Sequence, residues 1–165
     1  MEVVDNKAIV LRTKRPHLIT ESIKKSQVLA EDGGVFKVMV NWGLQEAQTL
    51  AHLKVKDVPS PIERDYTWVG KHKPFKHQRT TSSFLTLHKK AFCFNEQGTG
   101  KTASVIWATD YLMNRGDVKR VLVIAPLSIM KSAWQQDLFK FAMHRSCSVA
   151  HGTAKQRRKI INAGA

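Results

Sequence analysis

At 165 residues, 42% hydrophobic and 24% charged, the chain has enough apolar material for one domain with a real core, or one domain with a small appendage. Its 27 Lys and Arg against 13 Asp and Glu leave a formal charge of +14. That excess points to polyanionic partners, nucleic acid first, unless an acidic portion of a longer protein balances it.

Residues 7–13 are apolar and β-branched enough for a strand, which Lys14-Arg15-Pro16 breaks. Leu18, Ile19, Ile23 and Val28 predict a helix from about His17 to Leu29, and Glu31–Gly34 a turn. A second strand follows over Val35–Val40, with Val35, Lys37 and Met39 on one face and Phe36, Val38 and Val40 on the other. Leu44, Ala47, Leu50 and Ala51 form one stripe of a second helix. These elements predict a small β-α-β-α domain over residues 1–58. The prolines of Val58–Ile62 mark a break, and residues 59–74 read as a linker.

A helix from about Phe75 to Leu87 then leads to the most informative stretch, Ala91–Thr102. An apolar run, Ala91–Phe94, stops at Asn95-Glu96-Gln97-Gly98-Thr99-Gly100-Lys101-Thr102, and a segment of helical spacing follows to Met113. Strand, glycine turn and helix are the context of a phosphate-binding P-loop, or Walker A motif. Its backbone amides and the helix N-terminus face the phosphates. Lys101 would reach the β- and γ-phosphates as the catalytic cation, and the Thr102 hydroxyl would help hold Mg²⁺. The first motif position is Asn95 where glycine is usual.

Beyond it, Val121–Ala125 is a continuous apolar run of the kind a parallel strand shows when buried on both faces. Met130, Trp134, Leu138 and Phe141 mark a helix with a core face, and Ser146–Ala150 a weaker strand. Thr153 and Gln156 have the spacing of a capping box opening a last helix. From residue 91 onward the order is β-α-β-α-β-α, which predicts a doubly wound parallel sheet within an α/β lobe of residues 75–165. Lys155, Arg157, Arg158 and Lys159 form a basic run that reads as a solvated face. Cys93 and Cys147 have no metal spacing, nor do the seven histidines, and nothing suggests a disulfide framework. With no signal-peptide start and no run of membrane-spanning length, a soluble, cytoplasmic protein is expected.

Phe75-Lys76-His77-Gln78, Asn95–Thr102 and Val121–Ser128, with Trp134 and His151-Gly152, together resemble superfamily-two helicases. The resemblance is to the Swi/Snf-type DNA translocases as bacteriophages carry them, and covers roughly residues 59–165. It implies a RecA-like lobe, ATP and Mg²⁺ as cofactors, DNA as partner and the host cytoplasm as location. It further implies that Gln78 hydrogen-bonds the adenine edge, with Phe75, Tyr66 or Trp68 packed on the base. By itself Gln78 reads as a solvated helix residue and Phe75 equally as core. Glu96 matches the acidic residue ahead of the glycines, followed by Gln97, Gly98, Thr99 and Gly100. Pro126 and Ser128 match the first DNA-contacting segment, where Ser128 also fits a helix N-cap. Lys131, a turn further on, could add a phosphate contact.

One departure matters for chemistry. ATP hydrolysis needs an acidic residue at the end of a later strand to hold Mg²⁺ and a glutamate to activate water. Neither Pro126 nor His151-Gly152, which end the later strands, supplies it. The expected reading is the N-terminal part of a longer motor, cut before the acidic box and before its second lobe, with no appreciable ATPase activity of its own. The alternative is a non-catalytic module that binds nucleic acid or a partner and keeps the nucleotide loop. A small P-loop kinase fits less well, given Pro126-Leu127-Ser128.

Overall fold

Residues 8–13 and 35–41 are rich in apolar and β-branched side chains, and both are strands of one antiparallel sheet. The computed structural model describes residues 1–163; Gly164 and Ala165, at the end of the predicted lobe, lie outside it. Two units are distinguished, residues 1–66 with 83–92, and residues 67–82 with 93–165.

The first unit is built on strands β1 (Glu2–Val4), β2 (Ala8–Thr13), β3 (Ser26–Asp32) and β4 (Val35–Asn41), in the order β1-β2-β4-β3 with every pair antiparallel. The register sets Ile9 opposite Val40 and Leu11 opposite Val38, so these four share a face. Helix α1 (Pro16–Ser22) contributes Ile19 to that face and α2 (Leu44–His52) contributes Leu50, with Ile23 and Trp42 completing the core. The predicted helix over 17–29 is therefore corrected: it ends at Ser22, and Val28 lies in β3. Gly33 and Gly34 both have positive φ (56° and 76°), the backbone a tight hairpin needs, and they join β3 to β4 directly. Truncating a core methylene tests the packing. Ile9, 0% exposed, when changed to Val should lower stability by about 1 kcal/mol in urea unfolding.

Residues 59–65 are fastened to this unit. The Trp42 Nε1 donates to the Pro59 carbonyl at 2.8 Å, the hydroxyls of Ser60 and Thr86 are 2.7 Å apart, and Ser60, Pro61 and Ile62 are buried. A short helix, α3 (Ile62–Asp65), carries Glu63, whose Oε1 accepts from Ser83 at 2.9 Å. Ser83 lies in α4 (Lys76–Leu87), which contributes residues 76–82 to the second unit and 83–87 to the first.

The second unit holds α5 (Lys101–Asn114), α6 (Leu127–Ile129), a π-helical stretch (Met130–Gln135), α7 (Gln136–Phe141) and α8 (Ala154–Ala163). Trp107, 1% exposed, is its centre: its ring meets Trp68 and Phe141 edge-on and its Nε1 donates to Val69 O at 2.8 Å. Met130, Trp134, Leu138 and Phe141, expected as a core face, are half-buried.

The RecA-like parallel sheet is not present. Residues 91–94, 121–125 and 146–150 form no strand, and among the described residues the only sheet is the antiparallel one of the first unit. Phe92, Phe94, Leu122 and Ile124 are 81%, 89%, 76% and 90% exposed. An apolar run measures what a segment could bury and does not supply the neighbouring strands that a ladder requires. The predicted β-α-β-α order of the first unit is likewise corrected to β-β-α-β-β-α. No helix among the described residues is long and apolar enough to cross a membrane.

Candidate functional site: a phosphate-binding loop

Two glycines shape the loop between residues 95 and 101. Gly98 and Gly100 have φ of 80° and 75°, left-handed values that suit residues lacking a Cβ. Gly100 sits at the N-cap of α5, which no side chain caps, so the amides of its first turn project from the helix end. A Cβ on Gly100 would lie 2.1 Å from the Gln78 Nε2.

Helix α4 braces the loop from the side. The Gln78 Nε2 donates to the Thr99 carbonyl at 3.3 Å, and the His77 Nε2 meets the same carbonyl at 3.0 Å. The Gln78 Oε1 accepts from the Phe75 amide at 3.0 Å, and the Phe75 ring stacks on His77, centroids 5.7 Å apart and 12° from parallel. Further along, the Ser82 hydroxyl donates to the Ser104 carbonyl at 2.9 Å, fixing α4 against α5. The amide side chain of Gln78 keeps one N–H and one oxygen lone pair beyond these bonds, the pair that an adenine edge would take.

Lys101 closes the loop upon itself. Its Nζ donates to the carbonyls of Asn95 (2.9 Å) and Glu96 (2.8 Å), and the Thr99 hydroxyl donates to Glu96 O at 2.8 Å. Asn95 explains its own departure from the motif: its Nδ2 donates to the Thr81 hydroxyl at 2.9 Å, anchoring the loop to α4 where a glycine could not. Thr81, His77 and Ser82 were not singled out from sequence. A period of three to four residues along α4, aligned with Gln78, was the signal that could have found them.

The structure thus gathers Phe75, Gln78, Glu96, Gln97, Gly98, Thr99, Gly100, Lys101 and Thr102 around one loop and its flanking helices. Thr102 is half-buried in the first turn of α5. Among the described residues, Pro126, Ser128 and Lys131 make no hydrogen bond or ion pair with the loop. Pro126 takes the N-cap position of α6; Ser128 sits inside that helix and does not cap it, while its carbonyl accepts from the Ser132 hydroxyl at 3.0 Å. Lys131 is exposed in the π-helical stretch.

As a cradle for phosphate the residues fit: glycines that open the backbone, an uncapped helix end and a lysine able to exchange carbonyls for phosphate oxygens. For Mg²⁺ the fit is narrower. No group of three or more His, Cys, Asp or Glu is placed to hold a metal among the described residues, leaving the Thr102 hydroxyl beside the phosphates themselves. Asp110, in the same helix as Thr102, is buried and engaged with His144 (2.8 Å) and Arg145 (2.6 Å). Comparison of the chain with family profiles, with curated proteins and with solved structures gives no match.

Proposed function

We propose that this chain binds ATP with Mg²⁺ through the loop at residues 95–102, as the nucleotide-binding part of a DNA-dependent ATPase of the helicase and translocase kind. The observation that supports it best is the position of Lys101: its ammonium already lies over the loop, held by two carbonyls that phosphate oxygens can replace. Lys101 and the first-turn amides of α5 would hold the β- and γ-phosphates, and Thr102 would join Mg²⁺. Gln78 would offer its remaining donor and acceptor to the adenine, with Phe75 beside the base. Pro126, Ser128 and Lys131 would touch the DNA backbone. The carboxylates that hydrolysis requires would come from outside these residues. The cytoplasm suits the two cysteines, both free in the structure.

A second reading, a non-catalytic nucleic-acid- or partner-binding module that keeps its nucleotide loop, is favoured by one fact: the buried carboxylate nearest the loop in sequence, Asp110, is already paired. The two differ in coupling. In the module, affinity for nucleic acid is indifferent to ATP and to Lys101.

The test is calorimetric titration of MgATP into the protein and into Lys101→Ala. Losing charge-assisted bonds of about 1.5–3 kcal/mol should weaken binding about 10- to 100-fold. Turnover should stay at background in both proteins. No saturable binding, or equal binding by the variant, would overturn the nucleotide reading. Robust hydrolysis abolished by Lys101→Ala would overturn the claim that the base lies elsewhere.

A further inference from the structure

The sheet of the first unit has two faces, and the helices cover one of them; on the other, Arg12, Lys37 and Asn41 are exposed while Val10 is buried. Ile9, Leu11, Val38 and Val40 meet both helices; Ala8, Val10 and Arg12 on β2 and Lys37, Met39 and Asn41 on β4 point the other way. Two depressions, of about 540 and 410 Å³, are lined by residues of this second face and its margins, the first also by Leu11 and Val55 from the helix-covered side. Arg12, Lys37 and Lys56 line the first; Lys7, Lys24 and Lys25 line the second. Glu2 is the single carboxylate among the lining residues. All six cations are exposed, and none forms an ion pair within 4.0 Å among the described residues.

Two further observations narrow the occupant. Arg12 and Lys37 stand directly opposite one another across β2 and β4, a like-charge pair that weakens a sheet unless an anion bridges it. The cations also fall into two groups at opposite ends of the strands. Lys37 and Asn41 are separated along β4 by about 13 Å at the usual rise per residue, and the Asn41 amide donates to the Lys25 carbonyl at 2.9 Å. That separation matches a duplex groove about 12 Å wide with phosphates along both walls. Between the two groups lie Glu2, Val10, Met39 and Gln27, one carboxylate and no aromatic ring, so the face lacks the stacking platform that single strands use.

We propose that the open sheet face of the first unit is a sequence-independent docking surface for duplex DNA, its two cation groups holding phosphates on either side of a groove. The proposal shares only its class of partner with the nucleotide reading, and it concerns the unit without the phosphate loop. It gives that unit a task of its own: retaining the chain on duplex whatever the state of the nucleotide.

The experiment is fluorescence anisotropy of a labelled 20-base-pair duplex, and of one of its strands, with the full chain and with Lys25→Glu/Lys37→Glu over a salt series. Each phosphate contact contributes a salt slope of about 0.9, so the double variant should lower the slope by about 2 and weaken duplex binding at least about tenfold at low salt. MgATP binding, measured separately, should not change, so a failure of this idea is distinguishable from a failure of the nucleotide site. Folding is checked within the same pair: Lys37→Glu converts the like-charge pair with Arg12 into an attractive one and should raise the thermal midpoint while affinity falls. Unchanged duplex affinity would overturn the proposal. So would an equal loss in Lys89→Glu/Lys90→Glu, which removes the same charge from the same unit outside the sheet's strands, or a preference for the single strand.

Discussion

Gly100→Ala should weaken MgATP binding about 10- to 400-fold. Two separable effects produce that loss. At φ of 75° an added Cβ makes the left-handed backbone unfavourable by about 1–2 kcal/mol. The same carbon would sit 2.1 Å from the Gln78 Nε2 and drive that side chain off the Thr99 carbonyl, removing a hydrogen bond of about 0.5–1.5 kcal/mol. The free loop relaxes into another conformation, so nucleotide binding must recover the strained one and carries the whole difference. Gly98→Ala is the internal comparison. It has the same kind of backbone, φ of 80°, but nothing within 4 Å of its Cβ, so only the conformational part applies. Adding Gln78→Ala to Gly100→Ala should relieve the collision and leave the strain, a coupling that a double-mutant cycle in titration calorimetry measures. Equal losses for Gly98→Ala and Gly100→Ala would show that α4 does not brace the loop.

The glycine turn and the helix after it were the most legible part of the sequence, because their signals are local; the strand expected ahead of them is absent. Gly98, Gly100, Lys101 and Thr102 lie within five residues, and the helix that follows begins where the motif says it should. Strands β2 and β4 and helix α2 were legible for a similar reason, since apolar and β-branched content or a period of three to four residues is written within each element. Pairing was not legible. Strand β3 reads as the end of a helix because its apolar residues Val28 and Leu29, 41% and 45% exposed, are neighbours in sequence and do not alternate. A register shift between Val28 and Ala30 interrupts the pleat there. The hairpin signal was nevertheless present in Asp32-Gly33-Gly34, between two segments that can extend. The same non-locality explains the parallel sheet that the sequence suggested and the structure lacks. Apolar runs at 91–94 and 121–125 state a capacity for burial, whereas a ladder depends on partners dozens of residues away. Asn95 is the instructive intermediate case. The sequence marked it as irregular, and only the fold shows the irregularity to be an anchor on Thr81.

Arg145→Ala should destabilise the second unit by about 3 kcal/mol, more than Asp110→Asn does. Asp110 is 2% exposed within α5 and accepts from the Arg145 Nε at 2.6 Å and the His144 Nε2 at 2.8 Å. A second Arg145 nitrogen donates to Asn114, one turn along the same helix. Segment 142–145, which closes α7 with the buried Ala142, is thereby fastened to the helix that starts at the phosphate loop. The two ends of the pair are not equivalent. The carboxylate is buried, whereas the side chains of Arg145 and His144 are 25% and 43% exposed and can be partly solvated if released. Removing the arginine strands a buried charge, which costs about 3–5 kcal/mol in general; His144 stays and holds the effect to the lower end. Asp110→Asn removes the charge, keeps an acceptor for one cation and should cost about 1–2 kcal/mol. Urea unfolding followed by tryptophan fluorescence, with Trp107 at the centre of the unit, reads both variants. The reverse order would mean that solvent already compensates Asp110. Since the pair lies outside the loop, saturating MgATP should raise the midpoint of Arg145→Ala as far as it raises that of the unaltered protein, by the same ratio of ligand concentration to Kd.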